Sequence, residues 1–372
     1  MNDLLRWVFD LLRRLLHTLD WPLLLALAGL MGIGLAVLYS AGGDSQGARL
    51  AINQGARFAV GLGAMWALSR VSPVRLRSWT PGVFAVSLLP LIAVLFIGTG
   101  KHGQHWIDLK LFYLQPAELL KISLPMMMAW YLHREPLPPR IGTVLVAGAL
   151  LGLPTALILL QPDFGTAMLV AASGVFALLL AGLPWWWVGV ALGGVAAAAP
   201  AAWFWLLRPY QKDRILTFLN PENDPLGTGW NIIQSKIAIG GGGLTGKGWG
   251  QGSQSHLDYL PEHTTDFIFA VLSEEFGWLG VATVLALYLF VIGRCLWIAI
   301  DARDTYSRLL AGTLGLSFFV YVIVNGGMIS GLLPVVGVPM PLLSYGGTSA
   351  VSLLAGLGLV MAVRAHRPVH GY

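Results

Sequence analysis

The sequence has few charged residues and almost no cysteine. Of its 372 residues only 11% are charged, 56% are hydrophobic, and the mean hydropathy is +0.70. Soluble domains carry about 25% charged residues, so a water-soluble fold is excluded because it has no way to bury this much apolar surface. The single cysteine, Cys295, excludes an internal disulfide and a Cys/His metal cluster built on it.

The apolar residues form long runs that predict membrane-spanning helices. A helix needs roughly 17–25 residues to cross a bilayer, and runs of this order cover 21–40, 54–70, 82–98, 116–132, 141–160, 165–181, 184–207, 266–293, 307–330 and 342–363. We therefore predict a single all-α, polytopic integral membrane domain over residues 1–372, with about ten transmembrane helices. Residues 1–20 place leucines on one helical face and charged side chains on the other, which predicts an interfacial amphipathic helix.

The distribution of positive charge predicts the orientation in the membrane. The net charge is +5, but the basic residues are scattered among short loops and form no patch for nucleic acid. The positive-inside rule places both termini in the cytoplasm of a cell inner membrane, because most loop arginines then share that side. Four segments face outward: 99–115, 161–163, 208–265 and 331–341. The third is a long periplasmic loop between the seventh and eighth helices, and such loops are uncommon unless they are functional.

A glycine-rich segment, GGGGLTGKGWG at residues 240–250, weakly matches two nucleotide-binding patterns. Gly248 stands where a P-loop requires Ser or Thr, and the loop faces away from cytosolic nucleotides. A flexible loop is one alternative, because glycine readily adopts positive φ angles. Close approach of its backbone to a sugar or diphosphate is the other.

Several ionisable residues lie at the outward ends of apolar runs or within them: Glu118, Lys121, Asp163, Asp266, Glu274 and Glu275. Structural roles are available, since Glu118 and Lys121 are spaced for a helical ion pair and Asp163 and Asp266 can cap or begin helices. Ionisable groups are costly in a bilayer, however, which favours a polar cavity with a function. Residues 344–348, SYGGT, follow a proline-rich stretch and are expected to shape the same cavity.

Several short motifs, in order along the chain, resemble the SEDS family of peptidoglycan polymerases. They are 234–240 (QSKIAIG), 246–248 (GKG), 260–262 (LPE) and 265–267 (TDF). Residues 333–339 (LPVVGVP) and 252–255 (GSQS) resemble the elongation-type branch and not the division-type branch. The resemblance extends from the first span to residue 363.

The resemblance implies a ten-helix enzyme that polymerises lipid II into glycan strands outside the membrane, for cell elongation and rod shape. It also implies as partners a class B penicillin-binding protein, which crosslinks the strands, and other elongation-complex proteins. By position, Asp266 matches the family's essential carboxylate and is expected to act as general base in an inverting transfer. The expected substrate-binding residues are Trp106, Glu118, Lys121, Asp163, Arg214, Lys236 and Lys247.

The sequence departs from the family pattern at three places. His105 stands where the family usually has Arg, Ala117 where it has Ser, and His263-Thr264 where it has Arg-His. These positions are left without an assigned role, and a divalent cation, Mg or Mn, is neither required nor excluded.

A lipid II transporter or flippase is the main alternative, since it also needs charges near Glu118 and Lys121. An inactive scaffold is a third reading. The charged residues concentrated outside the membrane, without inverted repeats of broken helices, favour the polymerase.

Overall fold

The computed structural model describes residues 17–99, 105–108, 110, 113–207, 209–223, 228–253 and 262–366. The predicted amphipathic helix lies outside these residues, apart from 17–20, which form a turn ahead of the first helix. Within the described ranges the only strands form one short antiparallel hairpin, β1 (Ile107–Asp108) and β2 (Tyr113–Leu114). The rest of the secondary structure is helical, so the predicted all-α class is confirmed.

In the part of the chain that the structure describes, ten α-helices follow the predicted spans and two more lie between the seventh and eighth. They are α1 (Trp21–Ala41), α2 (Gly43–Ser69), α3 (Pro73–Ile97), α4 (Pro116–Leu132), α5 (Ile141–Leu160), α6 (Phe164–Leu180), α7 (Trp186–Ala201), α8 (Pro209–Leu219), α9 (Thr228–Gly241), α10 (Ile268–Asp301), α11 (Thr305–Ile329) and α12 (Thr348–Ala365). Seven helices in the described part are individually long and apolar enough to cross a membrane. The chain is therefore a polytopic membrane protein.

The structure differs from the sequence-based description in several places. The helices α2 and α3 begin at Gly43 and Pro73, ahead of the predicted 54 and 82. The connection 208–265, predicted as a long loop, contains α8, α9 and the short 3-10 helix Pro221–Asn223. The α9 helix is stabilised by packing, because it buries Ile232 and Ala238. The tenth helix begins at Thr348, six residues later than predicted, after the pair Gly346-Gly347, since glycine is a poor helix former.

The core is organised around α11, which packs against α4, α6, α10 and α12. At one end of the bundle, the buried Asp20 caps α1 by accepting a hydrogen bond from the Leu23 backbone at 2.9 Å. It also forms ion pairs with Arg294 of α10, at 3.0 Å, and with Arg364 of α12. We call this the Asp20 end. By contrast, α7 has no buried residue and lies at the periphery.

The glycine-rich segment closes a break in α10 at Gly277, where φ is 61°. The backbone N–H groups of Lys247 and Gly248 donate to the carbonyls of Glu274 and Glu275, each at 3.0 Å. A Cβ atom on Gly246 would lie 2.0 Å from the Glu275 carbonyl oxygen, so only glycine allows this approach. The backbone of this segment therefore makes a close contact with the protein's own interrupted helix.

Candidate active site

A cavity of about 810 Å³ opens at the end of the bundle opposite the Asp20 end. Its walls come from all four segments predicted to face outward, together with the starts of α4, α6 and α12. The charged and polar side chains in the wall are His105, Trp106, Gln115, Glu118, Lys121, Asp163, Thr166, Asp213, Arg214, Thr217, Thr265, Asp266, Tyr345, Thr348 and Ser349. A large pocket with convergent polar groups is the expected form of a small-molecule site.

Asp266 lies in the turn that precedes α10. The prediction that Asp266 caps or begins this helix is wrong. The helix begins at Ile268 without a side-chain cap, and the Thr265 hydroxyl donates instead to the Glu262 carboxylate at 2.8 Å. Among the described hydrogen bonds, the one to Asp266 ends on its backbone carbonyl, which accepts from Asn325 at 2.8 Å. The carboxylate is thus left available to the cavity.

Burial and two neighbouring charges change the acidity of Asp266. Burial raises the pKa of this carboxyl to about 6, the negative charge of Glu262 adds to the rise, and Arg214 opposes it. Because Asp266 lies outside the helix, desolvation and not the helix dipole dominates the shift of its pKa. A carboxyl with a pKa near 6 is mostly ionised at pH 7 and still basic enough to accept a proton efficiently.

Glu118 and Lys121 form the predicted ion pair near the start of α4. The helix begins with Pro116 after the cap residue Gln115, which places the two charges one turn apart. Lys121 Nζ lies 2.7 Å from one oxygen of Glu118, and Ser352 of α12 donates to the other at 2.5 Å. The ion pair that the spacing predicted is therefore present, and both residues also line the cavity.

Asp163 confirms the capping role that its position before α6 suggested. One carboxylate oxygen accepts from the Thr166 backbone at 3.0 Å, and the other accepts from the Gln115 side chain at 2.9 Å. Nearby, a nitrogen of the His105 ring lies 2.8 Å from the Gln161 carbonyl oxygen. His105, which stands where the family usually has Arg, thus connects the segment that contains Trp106 to the turn before Asp163.

Six of the eight predicted site residues line the cavity: Trp106, Glu118, Lys121, Asp163, Arg214 and Asp266. The other two lie elsewhere. Lys236 is exposed on α9 beside Gly331, and Lys247 forms an ion pair with the buried Glu274 at 2.6 Å, next to the break in α10. Neither residue belongs to the cavity wall.

Sequence reasoning missed three neutral polar residues at or beside the site: Gln115 in the cavity wall, Asn325 next to Asp266 and Ser352 next to Glu118. Asn325 and Ser352 lie inside apolar runs, and the isolated polar side chain within each run was the signal that could have indicated them. No group of three or more His, Cys, Asp or Glu side chains in the described residues is arranged to hold a metal ion.

Comparison with known proteins identifies the family. The family model for the FtsW/RodA/SpoVE cell cycle proteins matches residues 15–368. Peptidoglycan glycosyltransferase MrdB of Escherichia coli is 47% identical over 350 residues, which cover 94% of each chain. Peptidoglycan glycosyltransferase RodA of Treponema pallidum is 33% identical over 424 aligned positions, covering 94% of this chain and 98% of that one.

Comparison with solved structures points to the same family. A chain from a peptidoglycan synthase complex that coordinates polymerisation and crosslinking superposes with a TM-score of 0.82 at 31% identity, covering 94% of this chain and 99% of that chain. The rod shape determining protein RodA of Thermus thermophilus gives 0.70 at 29% identity, with 92% and 96% covered. The chain belongs to the FtsW/RodA/SpoVE family of membrane proteins. Within that family it is an elongation-type peptidoglycan glycosyltransferase.

Proposed function

We propose that this chain polymerises lipid II on the outer face of the cytoplasmic membrane, with Asp266 as the general base. The observation that carries the proposal is the meeting of Asp266 with the cations Lys121 and Arg214 in one cavity. A glycosyl transfer from a lipid diphosphate needs a base for the incoming hydroxyl and positive charge for the departing diphosphate. This cavity provides both.

In the proposed reaction, a sugar hydroxyl attacks the anomeric carbon that carries the lipid diphosphate. The new C–O bond forms while the bond to the diphosphate breaks, and Asp266 takes the hydroxyl proton. One displacement of this kind inverts the anomeric centre and requires no enzyme nucleophile. The pKa of about 6 for Asp266 supports its role as base, because proton transfer is most efficient when the base is matched to the working pH.

We assign the diphosphate to Lys121 and Arg214 and not to Lys236 or Lys247. The first two line the cavity with Asp266, whereas the latter two lie outside its wall. Glu118 holds the Lys121 ammonium group at 2.7 Å, so this cation is oriented before substrate arrives. Fixed charges of this kind stabilise the developing negative charge without reorganisation.

We further propose that Trp106 and Asp163 contribute to the sugar-binding part of the cavity, and that both chain termini are cytoplasmic. The orientation is supported by arginines at the Asp20 end, such as Arg75 in the first turn of α3 and Arg303 in the connection between α10 and α11. The cavity would then face the periplasm. The expected partners are a class B penicillin-binding protein and other elongation-complex proteins, because a matching chain comes from a peptidoglycan synthase complex.

The test is reconstitution of the purified protein in liposomes with lipid II and without nucleotide, with and without the transpeptidase partner. Glycan polymer should form, and Asp266→Asn should reduce turnover by about 10²–10⁴-fold while lipid II binding persists. The matched control is Asp108→Asn, which changes an exposed carboxylate outside the cavity wall and should leave turnover intact. Transport of lipid II without polymer, or normal turnover by Asp266→Asn, would overturn the proposal.

A further inference from the structure

Asn325 is a fully buried amide in α11 that the proposed chemistry does not use. Its Nδ2 group donates two hydrogen bonds, to the Asp266 carbonyl at 2.8 Å and to the Val338 carbonyl at 2.7 Å. Its Oδ1 atom has no hydrogen-bond partner in the described part of the chain. A buried acceptor left unsatisfied is unfavourable. The presence of this amide is therefore explained by its two donated bonds.

Both acceptors belong to irregular backbone in the cavity wall. Val338 lies in the segment 336–339, and Asp266 lies in the turn before α10. The two stretches are adjacent, since a Cβ atom on Gly337 would come within 3.6 Å of the Asp266 carboxylate. Asp266 and Val338 both lie outside the helices, so their carbonyls need hydrogen-bond partners from elsewhere.

The bonds originate from a largely buried helix of the bundle. Among the described helices, α4, α6, α9, α10 and α12 pack against α11, so the Asn325 side chain is attached to a rigid element. A second bond holds the same turn from another side, because the Tyr345 backbone donates to the Thr264 carbonyl at 2.9 Å. The two bonds restrain the backbone on which the Asp266 carboxylate is mounted, and they leave the carboxylate itself available to substrate.

We propose that Asn325 is the positioning residue for the catalytic carboxylate, tying Asp266 and the 336–339 segment to α11. This inference rests on the proposed role of Asp266 as base. Asn325 contacts backbone and not substrate, so its removal should affect the chemical step and not lipid II binding. Reactive groups misplaced by about 1 Å can lose on the order of 10²-fold in rate.

The main variant is Asn325→Leu, which keeps a similar volume and removes both donors. We expect kcat to fall on the order of 10²-fold with KM for lipid II unchanged. The acid limb of the pH–rate profile should also move, because Asp266 would sit differently relative to Glu262 and Arg214. Asn325→Ser retains one smaller donor and should give an intermediate kcat.

The matched control is Thr313→Val in the same helix. Thr313 is also fully buried, and its hydroxyl likewise has no hydrogen-bond partner among the described residues. It lies outside the cavity wall, so this variant should keep the parental kcat and pH profile.

Measurements are made on protein reconstituted in liposomes, with turnover normalised to the folded fraction. A folded Asn325→Leu protein with parental kcat and parental acid limb would overturn the positioning role. If that variant fails to fold, parental kcat and acid limb in Asn325→Ser would overturn it. Normal turnover by Asp266→Asn would instead remove the proposed base, whatever the Asn325 variants do.

Discussion

Polymerisation should slow sharply between pH 7 and pH 5, because Asp266 must be ionised to accept a proton. With its pKa raised to about 6, roughly 91% of the carboxyl is ionised at pH 7 and roughly 9% at pH 5. The value of kcat/KM should therefore fall about tenfold across this interval. A carboxyl with the ordinary pKa of 3.8 would lose only about 6% of its ionised form by pH 5.

Two neighbouring charges allow the assignment to be checked by moving the acid limb in opposite directions. Glu262 raises the pKa of Asp266, so Glu262→Gln should move the limb to lower pH. Arg214 lowers that pKa, so Arg214→Gln should move the limb to higher pH. The exposed Asp108 lies outside the cavity wall, and Asp108→Asn should leave the limb in place.

The assay is the initial rate of lipid II polymerisation in liposomes at low substrate concentration, since kcat/KM reports ionisations of the free enzyme. Lipid II binding is measured at each pH to separate affinity from chemistry. A flat profile between pH 5 and 7 would refute the reasoning. Limb shifts in the same direction for Glu262→Gln and Arg214→Gln would refute it as well.

Three further predictions concern stability and orientation. Because the pKa of Asp266 is raised in the folded protein, its ionised form opposes folding; this effect is absent below about pH 4 and complete above about pH 6. The variant Asp266→Asn should therefore increase the free energy of unfolding at pH 8, by at most about 3 kcal/mol. A lower melting temperature of the variant at pH 8 would contradict this. The variant Glu118→Gln leaves the Lys121 ammonium buried without its partner and should lower the free energy of unfolding by about 3–5 kcal/mol. The double variant Glu118→Gln/Lys121→Met should lose less stability. Equal melting temperatures for the single and double variants would argue against a stabilising ion pair. The orientation is tested with single cysteines in a background without Cys295, using an impermeant thiol reagent on intact spheroplasts. A cysteine replacing the exposed Asn220 should react, whereas a cysteine replacing the exposed Pro136 should be protected. The reverse pattern would invert the proposed orientation.

The sequence was sufficient for the fold class and for features that depend on local spacing. Apolar runs of the required length predicted the ten helices, because a bilayer leaves the chain little alternative to helices. The Glu118–Lys121 pair and the Asp163 cap were also predictable, since both follow from residues within one helical turn. Helix starts were less accurate, as α12 illustrates.

The arrangement of the site depended on tertiary structure. Ser352 reaches Glu118 across 234 residues, and Asn325 reaches Asp266 across 59, so no local pattern reports these bonds. The glycine-rich segment packs against the helix break at Gly277, and the continuous apolar run from 266 to 293 gave no sign of that break. Packing of distant helices also decided which cations share the cavity and how far burial raises the pKa of Asp266, because both depend on what surrounds a side chain in space.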